Sequence, residues 1–409
     1  MVVALRIFRR MPRLEIEEAF FGLADNEHKK RIFSDYTKMM GGVNNMFFRK
    51  MISVAVAVCF ALCLVATADT AMAKSPKPFK LNTAWMPEYE TFLMWYAKKQ
   101  GWDKEEGLDI KMHFFNSGPA ELEALPSRTW AIGIIGGLPG VIGHLRNDIV
   151  IIAEAMGDAM NNVVMVRPDD PVMKVKGWNP KYPNVYGTPE AIKGREVLVT
   201  TVTTSHMALI GWLKAFDLGP EDVIIKNMEC AQQIPAFDSG IGHINVLFDP
   251  YTFMGVEKGW PVAASGVDLG IPIPMMLAAE KRFCNEHPEI IAKFLRVYMR
   301  AVNMMQQEDP QKLVPQLLKY YKEWAGLKFS ENMALMDITR HPLKNIDQQL
   351  AFFDTAKGES GAQMVMRLSN EFLHSQGQLT DEEFKRLQDT SYATDKFLKM
   401  IEKPIPDYK

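Results

Sequence analysis

Thr203, Thr204, Ser205 and His206 stand where a β-branched run, EVLVTTV (196–202), gives way to the amphipathic stretch SHMALIGWLKAF. One hydroxyl ahead of a helix is enough to cap an exposed amide. Three hydroxyls and an imidazole make a larger set of donors, around a helix start whose free N–H groups and dipole favour anions. The four residues are candidate ligand groups, with plain capping as the competing reading. Trp85 and Tyr89 could stack on a ligand or serve packing. Asn116 and Ser117, Gly136 and Gly137, and Asp249 and Tyr251 also close apolar runs, and Asp249 fits either a helix cap or a cleft contact. Glu88 and Glu90 are expected to be solvated loop charges; facing a cleft, they would favour a cationic or amine ligand. His113 and His243 stand alone in their stretches and read as structural.

Catalysis and metal chemistry find little support. A nucleophile or general base needs a partner group, and the sequence offers only His206 beside hydroxyls, with Glu229 and Cys230 at another strand end. The eight histidines show no H-E-x-x-H spacing and the cysteines no C-x-x-C, so no metal and no cofactor are expected. No arginine falls on the strand-end rims that carry these candidates, so a bidentate clamp on a carboxylate or sulfonate is not visible.

The elements that would position these residues alternate. FKLNTAWM (79–86), LDIKMHFF (108–115), WAIGII (130–135), IVIIAEA (149–155) and NVVMVRP (162–168) read as strands, separated by helices at 89–101 and 120–127 and a helix start at Gly136-Gly137. This predicts a parallel, helix-covered sheet. The Pro-, Gly- and Asn-rich stretch 168–188 marks a boundary. A second set follows, with strands at 196–202, 223–228 and 244–249 and helices at 205–217, 234–240 and 250–258. Beyond Met275 long helical stretches begin, including 288–307 and 310–324. In open parallel sheets ligands bind beyond the carboxyl ends of the strands, which is where the candidate residues lie.

The chain has 409 residues, 47% of them hydrophobic, and a formal charge of −2. That is enough for two α/β lobes. Without a basic block, nucleic acid is not an expected partner. Arg49 and Lys50 precede an apolar run, Met51 to Ala68, and Ala71-Met72-Ala73 supplies small residues, the order of an export signal cleaved after Ala73. A retained membrane anchor is the alternative. Residues 1–45 precede that signal and are expected to be a mis-called extension, with the signal at 46–73. Cys230 and Cys284, left after cleavage, are expected to be buried free thiols.

Several stretches resemble one family, the type II periplasmic binding proteins of ABC importers for sulfonates, taurine, nitrate and bicarbonate, with the related thiamine-pyrimidine precursor binders. They are AKKQGWDKEEGLDIKMHFFNSGPAELEAL, IGIIGGLPGVI, TPEAIKGREVLV, TTSHMALIGWLKAFDLGPEDVIIKNM, LFDPYTFMGVEKGW and NEHPEIIAKFLRVY, over residues 80–305. The resemblance implies two doubly wound α/β lobes joined by two crossover strands around a ligand cleft. It implies lobe 1 at 74–165 and 271–409, lobe 2 at 166–270, and crossovers near 164–168 and 266–274 with Pro272 and Pro274 stiffening the second. It further implies a periplasmic, non-enzymatic monomer that closes on a small molecule and delivers it to a membrane permease. Ser117, Gly136, Gly137, Thr204, Ser205 and His206 match ligand-holding loops, and Asp249 and Tyr251 an inter-lobe loop. Where the family commonly has Gly-x-x-Asp before its third strand, this chain has Arg128 to Ala131, and His243 replaces the second lobe's Asp. The expected solute is an oxoanion, with a pyrimidine or amine as the alternative; a pyrimidine-synthesis enzyme and an exported sensory domain are the remaining classes.

Overall fold

The structure is a computed structural model that describes residues 77–157, 162–271, 274–401, 404–408 and Lys38. The export signal and Pro272 lie outside the described residues. From residue 79 the order is β1 (Phe79–Trp85), α1 (Tyr89–Gln100), α2 (Trp102–Glu105), β2 (Leu108–Phe114), α3 (Gly118–Ala124), β3 (Ile132–Ile135), α4 (Gly137–Asn147) and β4 (Ile149–Met156). The second sheet's elements follow as β5 (Asn162–Val166), α5 (Pro189–Ile192), β6 (Glu196–Val199), α6 (Thr204–Lys214), β7 (Ile224–Asn227), α7 (Cys230–Asp238), β8 (Ile244–Phe248), α8 (Tyr251–Glu257) and β9 (Val262–Ser265). The chain then enters β10 (Met275–Glu280), α9 (Lys281–Glu286), α10 (Pro288–Gln307), α11 (Pro310–Tyr320), α12 (Glu331–Arg340), α13 (Ile346–Phe353), α14 (Gly361–Ser375), α15 (Asp381–Asp389) and α16 (Lys396–Lys399).

Two five-stranded sheets result, ordered β2-β1-β3-β10-β4 and β7-β6-β8-β5-β9. Each is mixed rather than wholly parallel. β10 lies antiparallel between β3 and β4, and β5 lies antiparallel between β8 and β9. Each inserted strand directly follows a strand of the other sheet, β5 after β4 and β10 after β9, and enters against the direction of its neighbours. The run expected to cross over at 164–168 therefore starts inside the second sheet, with Val164 paired to Val246 and Ala264. The first crossing falls before Asn162.

Burial explains the strand sequences. β3, β5 and β8 are buried at every residue, which is why IGII, NVVMV and INVLF are nearly continuous apolar runs. α10 buries one face against α1 and the first sheet, placing Phe294, Tyr298 and Met299 beside Trp85 and Leu277. α14 packs on α4, and its Val365 and Phe372 join a core cluster that also contains Ile135 and Val199, one from each sheet. Apolar packing thus runs unbroken from one lobe to the other. Cys230 and Cys284 are both buried and free.

Candidate functional site

The chain reverses its winding beside β1 in the first sheet and beside β6 in the second, and ligands on such sheets sit beyond the strand ends at that reversal. The structure has a small cavity of about 20 Å³ there, room for a water molecule and far below the several hundred Å³ of an open ligand cleft. Glu88, Ser117 and Gly136 reach it from the ends of β1, β2 and β3, and Thr203 and Thr204 from the end of β6; Met86, Phe248 and Met275 supply apolar walls. The lobes are closed on each other at this point. Ser117 Oγ donates to Glu229 Oε1 across them at 3.0 Å, and a Cβ added to Gly136 would lie 3.8 Å from Thr204 Cγ2. Within the first lobe Gly118 is required by the close approach of α3 to α4, because a Cβ there would come 2.8 Å from Pro139 Cγ.

The helix starts at this cavity lack side-chain caps. Thr203 occupies the cap position of α6 without capping it. Its hydroxyl instead donates to Thr200 O at 2.6 Å and lies 2.8 Å from Ser205 Oγ, while Thr204 Oγ1 donates to Asn162 Oδ1 at 2.9 Å. Gly136, at the start of α4, has no side chain to cap with. The first amides of a helix have no partner within it. Two helices of eleven residues, one from each lobe, therefore begin uncapped at one cavity.

The acidic residues differ most from expectation. Glu88 and Glu90 are 3% and 0% exposed, not solvated, and Glu121 is 0% exposed. Tyr320 Oη donates to Glu88 O at 2.8 Å and Thr91 Oγ1 to Met86 O at 2.7 Å, which holds the loop after β1 in place. Burial, then the neighbouring Glu90, Glu121 and Asp249, raise the Glu88 carboxyl well above its usual range. Burial raises Glu121 likewise and pushes Glu90 up to about 7. Cys230 beneath the same loops is pushed up to about 12 by burial, so its thiol stays protonated.

Beside this group lies a second ionisable cluster. His341 Nε2 is 3.0 Å from Asp249 Oδ2 and Nδ1 is 3.0 Å from Asp337 Oδ1, with all three side chains buried. Burial alone would lower His341, but the two carboxylates outweigh it and hold the imidazolium well above its ordinary value. Burial pushes Asp249 up to about 6 despite His341. The three could together approach a metal ion, but each ring nitrogen already lies 3.0 Å from a different carboxylate, an ion-paired triad in which Nδ1 also meets Asp337 O at 3.0 Å. Asp337 and His341 are four residues apart at the end of α12, a spacing that places them on one helix face.

The other sequence candidates fall into distinct places. Trp85 is fully buried in the first lobe, donating from Nε1 to Thr83 Oγ1 at 2.6 Å and stacking on Tyr298 at 6.4 Å. Tyr89 packs on the His341 ring at 5.3 Å. Asn116 is exposed, and Gly137 borders a separate small apolar space with Ile151, Met276 and Val365. Ser205 is fully buried behind Thr203. His206 does not line the cavity: its ring meets Phe372 of α14 edge-on, and burial lowers its pKa. Tyr251 is 4% exposed, packs on Phe248 and is raised by burial. His243 accepts from Glu196 N and His113 meets Asn82, both structural.

Comparison with known proteins places this geometry in context. No family model matches the chain. A Brachyspira hyodysenteriae protein named as an ABC transporter periplasmic binding protein is 25% identical over 339 residues, 81% of this chain and 93% of that one. An aliphatic sulfonates-binding protein of Bacillus subtilis is 24% identical over 212 residues, covering 50% of this chain and 60% of its own length. Among solved structures, the periplasmic nitrate-binding protein of Synechocystis superposes with a TM-score of 0.60 at 12% identity, covering 81% of this chain and 92% of that one. The fold is that of the type II periplasmic binding proteins. The chain is a distant relative of the ABC-transporter solute-binding proteins of the sulfonate, taurine and nitrate group.

Proposed function

We propose that this protein is an extracytoplasmic solute-binding protein of an ABC importer, exported from the cytoplasm, which captures a small solute with an anionic group between its lobes and hands it to a membrane permease. The observation that carries the reading is the meeting of two uncapped helix starts, Gly136–Gly137 and Thr203–Thr204, from opposite lobes at one cavity. Free N–H groups and the positive ends of two helix dipoles make that point attractive to an anion. Opening and closing about the two inter-lobe crossings would admit the solute and then bury it. No covalent step is required of any residue, and the relatives are named as binding proteins.

The names of the relatives suggest the first solutes to try, aliphatic sulfonates, taurine and nitrate. The test is a thermal-shift screen of the purified protein with these anions. A solute that binds only the folded state stabilises it by about 2.7 kcal/mol at 100 times its dissociation constant, which such a screen resolves. Stabilisation by at least one small anion is expected; none by any of them would defeat the anionic reading.

A further inference from the structure

Among the described residues, Glu88 is the one ionisable side chain that lines the cavity between the two helix starts. A carboxylate in that wall would oppose the function of the site, because the free N–H groups of α4 and α6 favour an anion and a second negative charge would repel it. The surroundings of Glu88 keep it from ionising. It is 3% exposed, and its Oε2 is buried with no hydrogen-bond partner in the protein. Among the described residues no Lys, Arg or His forms an ion pair with it. Tyr320 Oη donates to its backbone carbonyl and not to its carboxyl.

The groups that face Glu88 offer no counter-charge. From its own lobe these are Glu90 in the first turn of α1, Glu121 on α3 and Tyr320 on α11. From the other lobe they are Asp249 after β8, Cys230 of α7 and Tyr251 of α8. Glu229, beside Cys230, is engaged by Ser117 Oγ. The charge of His341 reaches Glu90, but that ring is held between Asp249 and Asp337. Elsewhere the chain compensates a buried acid directly, as Glu154 with Lys344 at 2.6 Å. A buried carboxyl without such compensation keeps its proton.

From this placement we infer that Glu88 is a specificity-determining residue of the solute site, present as the neutral acid, whose O–H donates to the anionic group held between Gly136–Gly137 and Thr203–Thr204. The inference rests on the anion-binding reading above and deepens it by assigning a side-chain donor to a site otherwise built from helix amides. The proton stays on Glu88 through binding. Burial, then Glu90, hold that carboxyl well above its usual range, so the donor persists at a pH where an exposed glutamate has lost it. Where Glu88 has ionised, its oxygens repel the solute, and binding must first take up one proton from solvent.

The test uses nitrate and ethanesulfonate, anions that stay ionised throughout, with Glu88→Gln, which keeps an N–H donor, and Glu88→Met, which has similar length and no donor. In titration calorimetry at about pH 6, Glu88→Gln should bind at least tenfold tighter than Glu88→Met, the scale of one hydrogen bond to a charged group. Infrared difference spectra of the parent, with and without ethanesulfonate, should show a protonated-carboxyl band shifted by the anion and missing from Glu88→Gln. Equal affinity in the two variants, or a protonated-carboxyl band that the anion leaves unmoved, would overturn Glu88 as the donor and leave the anion reading standing. Failure of both anions to bind the parent would overturn the anion reading and this inference with it.

Discussion

His341, at the end of α12, holds Asp249 across the lobes, with Nε2 and Oδ2 3.0 Å apart and both side chains buried. α12 packs into the first lobe's core through Ala334 and Ile338, whereas Asp249 follows β8 of the second sheet. The contact is therefore a fastening between lobes, and Asp337, 3.0 Å from the other ring nitrogen, secures its charge.

Replacing His341 with Ala would leave Asp249 and Asp337 facing each other without a cation. Loss of one partner of a buried ion pair costs about 3–5 kcal/mol. Urea denaturation of His341→Ala should show a loss of about that size, and small-angle scattering a larger radius of gyration in solute-free protein. An unchanged urea midpoint would contradict the fastening.

The pH dependence of stability follows from the same groups. An acid whose folded pKa lies above its unfolded value binds more protons folded than unfolded between the two, so stability falls as pH rises through that window. For Asp249 the window runs from 3.8 to about 6, and for Glu90 from 4.5 to about 7. His341 acts in the same direction: its contribution is complete below 6.5 and is lost as pH rises through its elevated folded value. Thermal denaturation should give a falling Tm from about pH 5 to about pH 8, with a shallower fall in Glu90→Gln. A Tm rising across that range would contradict the assignment.

Trp85 is expected to matter for stability and not for recognition. Trp85→Phe removes a buried N–H bonded to Thr83 Oγ1 and leaves a partial void beside Phe294 and Tyr298. The cost should be about 1–3 kcal/mol in denaturant unfolding, with solute affinity within twofold of the parent. A tenfold loss of affinity would return Trp85 to the site.

How far the sequence discloses this arrangement differs by element. The buried strands IGII, NVVMV and INVLF are legible because burial on two faces writes itself as an apolar run, and PEIIAKFLRVYMRAVNMMQQ coincides with α10. β9 (VAAS) and β10 (MMLAAE) are built largely of alanine, serine and methionine, not of the β-branched residues that mark a strand; β10 also runs opposite to its neighbours, a direction set by the return from the other lobe that no local residue encodes. The hydroxyl cluster at Thr203 to Ser205 is recognisable as a helix start, but its internal bonding to Thr200 and Asn162 is a tertiary fact. Hardest to read are Glu88, Glu90, Glu121 and Glu229. A glutamate in a loop or on a helix is ordinarily solvated, and only tertiary packing buries the first three and half-buries Glu229. Asp337 and His341, at four-residue spacing, offered a readable local signal.

Gly136 gives the most direct test of the central claim. Its backbone, at φ −70° and ψ 160°, accepts any residue, and an added Cβ would lie 3.6 Å from Pro139 Cδ and 3.8 Å from Met275 Sδ, ordinary contacts that place a methyl between the two helix starts. Gly136→Ala should therefore keep or raise stability, by up to about 1 kcal/mol, while obstructing the solute. The measurement is titration calorimetry of parent and Gly136→Ala with whichever small anion stabilises the parent. The account predicts binding of one solute per chain by the parent and an affinity at least tenfold weaker in the variant at undiminished Tm. Equal affinity in the two proteins would place the solute elsewhere and contradict it.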